Sequence, residues 1–341
     1  MFRRLSFMFT LSLLLAGCQL WSIQSSHSIP TREISRIATG SYDGIAWLNQ
    51  NTILVTIDKG TGIGNDGLFH TKLDISALDL TSGDLRPTPF KTTCQIFGIK
   101  SFQVLPNNHV GYIFSCTDVI RTTKVIQELN LDTMSSSDLY DVPSTRSIHQ
   151  FVYSPNMNDL IIVGGGKYFD SNLYYLDANG DFTNITPELL RADFPTWSTT
   201  TDLIAYLGTK PYPGSDDKID HFSQTEARLD YPWQLFLYNP RSLTTEEFAL
   251  DLFHPSSLRW SPNGNMLGFA GEYRGIPGVW IIDNLDDPEN LNIIRVVNGL
   301  AAFDFSPDGK SIAFAYIGLQ NKEKQNILYI VDLPDKNIET K

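Results

Sequence analysis

The sequence predicts an all-β protein, a six-bladed β-propeller of four-stranded antiparallel blades, on three grounds. A hairpin motif recurs as "FVYSPNMNDLII" at 151–162, "LRWSPNGNMLGF" at 258–269 and "FDFSPDGKSIAF" at 303–314. Units built on such hairpins follow one another at steps of 44 to 63 residues. No stretch of the 341 residues sustains a helical period.

In Ser306-Pro307-Asp308-Gly309 the proline presets φ for the second turn position and the aspartate suits the third. The glycine takes the positive φ that lets the chain return as a strand. Alternation of Phe303, Phe305, Ile312 and Phe314 with smaller or polar neighbours then gives each arm one buried face. A lone hairpin cannot bury that face, so its repetition implies stacking. The residues that end the first arm of each unit are Trp47, Val104, Tyr153, Trp197, Trp260 and Phe305. A third apolar strand closing on a polar turn follows each hairpin, as in "NLYYLDANGD" and "VWIIDNLDDPEN". Most units add a weaker fourth strand, such as "DFTNIT" at 181–186. Four antiparallel strands in about 40 to 50 residues is the pattern of a propeller blade. The aromatic beside each turn is expected between blades, where full burial stabilises by about 1.5–3 kcal/mol.

These units resemble the TolB-type β-propeller repeat, whose mark is an aromatic residue, Ser-Pro-Asp-Gly, an apolar strand, and a Tyr or Trp strand closing on Asp and a turn. The likeness covers residues 41–341 in outline, is sharp in the last unit and good in those beginning near 144 and 251. At Trp197-Ser198 the first half of the motif survives without its proline and glycine. The resemblance implies the ring fold and no more, because TolB carries an α/β domain ahead of its propeller and this chain has almost no room for one. A closed ring must also cover its last edge. "REISRIATG" at 32–40 alternates suitably to lie beside "QNILYIVDL" as the outer strand of the last blade, with the C-terminal "DKNIETK" as its competitor.

Ahead of the ring, Arg3 and Arg4 precede an apolar stretch from Phe7 to Leu15 that is too short to span a bilayer. It ends in Leu15-Ala16-Gly17-Cys18, which resembles the lipobox of bacterial lipoproteins. That resemblance implies a signal peptide over 1–17, cleavage before Cys18, a diacylglycerol on its thiol and an acyl chain such as palmitate on its new amine. At about 0.8 kcal/mol per buried methylene, two or more chains anchor durably where one does not. Residues 18–31 then read as the lipidated cysteine and a polar, serine-rich tether, and 32–341 as the propeller. The expected location is the cell envelope outside the cytoplasm, on the periplasmic side of a membrane or at the cell surface.

Composition agrees with a packed body: 42% of residues are hydrophobic, 12% aromatic and 19% charged. With 38 acidic residues against 26 basic ones and no basic cluster, nucleic acid is excluded as an electrostatic partner.

Function is expected where the units differ. Two linkers between second and third strands are expanded, "DKGTGIGNDGLFHTK" at 58–72 and "TKPYPGSDDKIDHFSQTEARLDYPW" at 209–233. In a propeller such linkers share one face, which makes that face the candidate binding surface. Its candidate residues are Asp58, Asp66, His70, Tyr212, Asp216, Asp217, His221, Phe222 and Tyr231, with Tyr273 and Arg274 added from "EYRGIPG". Gly62, Gly64 and Gly67 spell a formal dinucleotide fingerprint, but the residues that follow alternate as a strand and offer no helix N-terminus to a pyrophosphate. Asp58, Asp66 and His70 match no EF-hand or zinc spacing, and neither HExxH nor GxSxG occurs. No catalytic residue, metal or cofactor is therefore assigned. Cys94 and Cys116 both fall in the second unit; a disulfide and two buried free thiols both remain open. The expected function is a lipid-anchored module that binds or scaffolds envelope proteins. A propeller-based hydrolase or lyase, or a sensor of small ligands or glycans, is the alternative use of the same face.

Overall fold

The computed structural model describes residues 31–37, 44–63, 69–87, 96–117, 122–141, 147–165, 171–210, 231–283, 285, 287, 291–316 and 326–333. Every element in them is a strand, from β1 (Thr31–Ile37) onward. The first four-stranded sheet joins β2 (Ile45–Asn49), β3 (Thr52–Ile63), β4 (Phe69–Asp79) and β5 (Leu85–Pro87) in sequence order. The second joins β6 (Ile96–Leu105), β7 (His109–Thr117), β8 (Thr122–Asn130) and β9 (Ser135–Asp141). The third joins β10 (Ser147–Tyr153), β11 (Leu160–Gly165), β12 (Ser171–Leu176) and β13 (Phe182–Asn184).

A seven-stranded sheet follows, running through β14 (Arg191–Trp197), β15 (Ile204–Thr209), β16 (Trp233–Asn239), β17 (Thr244–Trp260), β18 (Leu267–Tyr273), β19 (Ile276–Ile282) and β20 (Ile293–Asn298). Its middle strand, β17, is 17 residues long and serves two partners. Thr244 to Leu252 pair with β16, and Leu252 to Trp260 pair with β18. The last sheet places β21 (Ala301–Phe305), β22 (Ser311–Tyr316) and β23 (Asn326–Asp332) beside β1. All pairings are antiparallel, and β1 runs against β23 from Thr31 opposite Val331 to Ile37 opposite Asn326. Of the two terminal segments that the sequence offered for this edge, the N-terminal one lies along it.

The Ser-Pro turns repeat in atomic detail. The Gly309 N–H donates to the Ser306 carbonyl and the Ser311 N–H to Ser306 Oγ, while Ser306 Oγ donates to Asp308 Oδ1. The same set is drawn at Ser261 with Asn263, Gly264 and Met266, and at Ser154 with Asn156, Met157 and Asp159. Gly309 and Gly264 hold φ of 69° and 70° there, and Met157 holds 63° without a glycine's freedom.

The first strands β2, β6, β10, β14, the second half of β17 and β21 touch in that order, and β21 touches β2. Sheets stand face to face around this circle, so the core is divided among their interfaces rather than gathered at one centre. Trp47 packs with Ala313, Ala315, Leu328 and Ile330 of the last sheet. Val152, Ile161 and Val163 of the third meet Trp197, Tyr206 and Phe236 of the next. The motif aromatics Trp47, Tyr153, Trp197, Trp260 and Phe305 are all buried, as interface residues should be. Covering both faces of a sheet also corrects the expectation of one buried face per arm: Leu54 and Val55, adjacent in β3, are both fully buried.

Candidate functional site

Irregular backbone gathers at one level of the ring. Besides the shift between Trp47 and Asn49 beside the turn of β2, four of the first strands carry a register shift away from their turns: between Lys100 and Phe102 in β6, Ile148 and Gln150 in β10, Asp193 and Thr196 in β14, and Phe253 and Ser257 in β17. Three of the displaced residues, Ser101, Phe194 and His254, take the left-handed conformation at φ of 47°, 58° and 48°. Such a conformation costs on the order of 1–3 kcal/mol, and bulges re-aim side chains beside functional sites. Here they turn Ser101, His149, Phe194, Pro195 and Ser256 onto the wall of a central cavity.

The cavity has a volume of about 690 Å³ and is bounded by the first strands of all the sheets. It reaches from these bulges to Pro262 and Pro307 in the hairpin turns. Trp47, Phe151, Trp197, Trp260 and Phe305 line it together with Gln103, Gln150, Thr196, Ser257, Arg259 and Asp304. Much of that polar lining joins one sheet to the next. Ser101 Oγ accepts from the Phe151 N–H at 3.3 Å. Gln103 acts as a short strand of its own, accepting from the Tyr153 N–H at 2.8 Å and donating to the Tyr153 carbonyl at 3.3 Å. Gln150 Oε1 takes the Phe194 N–H at 2.7 Å, Thr196 Oγ1 the Trp260 N–H at 3.3 Å, and Asp304 Oδ2 the Trp47 N–H at 2.8 Å. Each bond satisfies a backbone N–H, or in the case of the Tyr153 carbonyl an acceptor, on the inner edge of a sheet.

Asp304 and Arg259 are surrounded by protein, yet each keeps part of its surface on the cavity. Burial raises the Asp304 carboxyl to about 6, against the opposing pull of Arg259 and of the Trp47 and Phe305 N–H groups. Burial likewise lowers Arg259, with Asp304 opposing it. Behind the wall, Asp193 is buried and pushed upward by desolvation, while Arg191 Nε donates to its Oδ2 at 2.5 Å and pulls it back. Among the described residues no three His, Cys, Asp or Glu side chains gather as a metal site.

The residues expected at the binding face are placed unevenly. Asp58 lies in β3 opposite Leu73, and His70 in β4 opposite Gly62, so the 58–72 insertion is largely an extension of a hairpin ladder. The strand β4 also stands where a dinucleotide fingerprint would need a helix. Tyr231 stands half-buried just before β16. Tyr273 is buried, its ring edge-on to Phe269 and Trp280, and only its neighbour Arg274 reaches the surface, with its guanidinium over the Tyr273 ring at 5.1 Å. Asp66, Tyr212, Asp216, Asp217, His221, Phe222, Cys94, Cys18 and the 1–17 leader lie outside the described residues, and Cys116 is placed in β7 opposite Phe97 of β6 and Thr123 of β8. Sequence reasoning missed Arg259, Asp304 and the bulged positions. The available signal was a charged residue between two apolar ones just ahead of two of the three Ser-Pro turns, "LRWSP" and "FDFSP".

No protein-family profile and no curated protein matches the sequence. Solved structures do match the fold. TolB from Acinetobacter baumannii aligns at a TM-score of 0.50 and 11% identity over 76% of this chain, which spans 60% of the TolB chain. A luciferin-regenerating enzyme aligns at 0.56 and 12% identity, covering 89% of this chain and 95% of its own. A chain of a mitotic checkpoint complex aligns at 0.54 and 12% identity, covering 90% and 93%. Identities this low show the fold alone. The protein is an all-β, propeller-like ring of antiparallel sheets.

Proposed function

We propose that this protein is a lipid-anchored, extracytoplasmic β-propeller that binds or scaffolds proteins of the bacterial cell envelope. Its ring is taken as six blades, the seven-stranded sheet counting as two that share β17. The lipobox-like Leu15-Ala16-Gly17-Cys18 supports the anchor, with cleavage after residue 17 and acyl chains on Cys18. The observation that carries a binding role is how the polar groups of the axis are spent. Ser101, Gln103, Gln150, Thr196 and Asp304 each hold a backbone group of the neighbouring sheet, which makes them closures of the ring rather than free acids, bases or nucleophiles. Recognition then falls to the rim, where 209–233 is the longest insertion between strands. The fold itself admits both assemblies and enzymes, as its structural neighbours illustrate.

Cross-linking and affinity capture of the full chain from its own envelope test this reading. Residues 211–230 replaced by a short Gly/Ser linker should abolish capture of a protein partner that the native chain retains. Cys18→Ser should move the chain from the membrane fraction to the soluble one. Native capture no greater than that of the Cys18→Ser chain would remove the scaffold reading.

A further inference from the structure

One group on the axis is not spent in closing the ring. Arg259 makes a single hydrogen bond, from Nη1 to the carbonyl of its own neighbour Leu258 at 2.9 Å, which leaves most of its fork of N–H donors unused. Asp304 is its electrostatic neighbour, but the carboxylate is held by backbone N–H groups and forms no ion pair with it. Arg259 is only partly exposed and lines the cavity, so its unused donors are open to whatever the cavity holds. Two further cavity residues, Thr56 and Ser256, carry shielded Oγ atoms with no partner among the described residues. The indole N–H groups of Trp47 and Trp260, whose side chains also line the wall, are likewise without one. These shielded atoms offer no surface to the cavity, so the donors that a ligand could reach are the unused ones of Arg259.

We propose that the axial cavity binds a small organic anion, whose carboxylate or phosphate oxygens take the guanidinium fork of Arg259 while hydroxyl groups elsewhere on it meet the Ser, Thr and Gln lining. A volume of about 690 Å³ falls among small-molecule sites, which run from about 300 to 1,000 Å³. Planar, bidentate geometry makes arginine the side chain suited to either oxyanion. The rest of the wall, indole and phenyl faces interleaved with hydroxyl and amide groups, suits a molecule with both carbon surface and hydroxyls. Charge supports the same sign of ligand. The ionisable groups lining the cavity are Arg259 from β17, Asp304 from β21 and His149 from β10. Burial raises Asp304 to about 6, so the guanidinium is the dominant charge below that pH, and above it the carboxylate offsets it.

Isothermal titration of the full chain with inorganic phosphate and with D-glycerate, and with glycerol as the neutral control, tests the proposal. Saturable binding of one or both anions at one site per chain is expected, with none of glycerol, and the tighter anion identifies the oxyanion class. Arg259→Gln should weaken it at least tenfold. Should that variant not fold, the wild-type chain carries the test through phenylglyoxal modification mapped by mass spectrometry. Arg259 should be modified in plain buffer and protected several-fold by the anion. No saturable binding up to about 50 mM, equal affinity in a folded Arg259→Gln chain, or modification unchanged by anion would each overturn the proposal. So would an Arg259 that never reacts, since a cavity closed to phenylglyoxal is closed to the ligand.

Discussion

Replacing Asp304 by asparagine should alter the dependence of stability on pH more than stability at any one pH. The amide retains an oxygen to accept the Trp47 N–H, which Asp304 Oδ2 accepts at 2.8 Å, so the bridge between the first and last sheets survives. What it removes is a charge. The carboxyl stands at about 6 in the folded chain against an ordinary 3.8, chiefly through burial. A carboxyl raised in this way stabilises the folded state fully below about 3.8, where both states hold the proton. That contribution is lost as pH rises through about 6, where the folded protein must ionise a buried group. At about 1.4 kcal/mol per pKa unit, the loss approaches 3 kcal/mol between pH 3.8 and pH 7. All other titrating groups are common to the two chains and cancel in the difference. Urea unfolding followed by tryptophan fluorescence from pH 4 to pH 7.5 should therefore show Asp304→Asn gaining on the wild type by up to about 3 kcal/mol, mostly between pH 4.5 and 6.5. A constant difference, or one that shrinks as pH rises, would refute the burial of an ionisable Asp304 on this axis.

Two substitutions in equivalent turns should move stability in opposite directions, read as urea midpoints. Met157→Gly relieves a left-handed residue and should stabilise by about 1 kcal/mol. Gly264→Ala adds a methyl that would collide with Thr200 Oγ1 while φ stays at 70°, and should cost about 2 kcal/mol or more. Gln103→Leu leaves the Tyr153 N–H and carbonyl without the side chain that joins them and should cost about 1–3 kcal/mol, with faster amide exchange at Tyr153 as the local sign.

The fold was legible where residues act locally. Ser306-Pro307-Asp308-Gly309 writes its turn in its own preferences, and the alternation of 32–40 offered one of two candidates for the edge of β23 that β1 takes. Ser154-Pro155-Asn156-Met157 forms the same turn because its serine and asparagine supply the same hydrogen bonds and outweigh the cost at Met157. Ser198 goes further and turns the chain without proline or glycine by accepting the Thr200 and Thr201 N–H groups. Features imposed by neighbouring sheets were not legible. Pro255 reads as a break, yet β17 runs through it because the bulge between Phe253 and Ser257 excuses its missing N–H. Asp304, between Phe303 and Phe305, reads as a solvent-facing residue of an amphipathic strand. Only the closed ring turns that side toward an enclosed axis. The bulges at Ser101, His149 and Phe194 have no signature in local propensity at all, since adjacent sheets set them.

The pairing of β1 with β23 makes the first described strand and the last one parts of the same sheet. During synthesis, β1 must wait for almost the whole chain before its partner exists, while the sheets between can form in the order they emerge. Closure is therefore a test of completeness: a chain that stops before Asn326 leaves β1 without a mate and β22 with an open edge. Contacts of such sequence separation form late and slowly. An edge left open is a ready template for aggregation or a target for proteolysis. Quality control in this fold sits in one strand pair, and that pair registers whether β23 has been made.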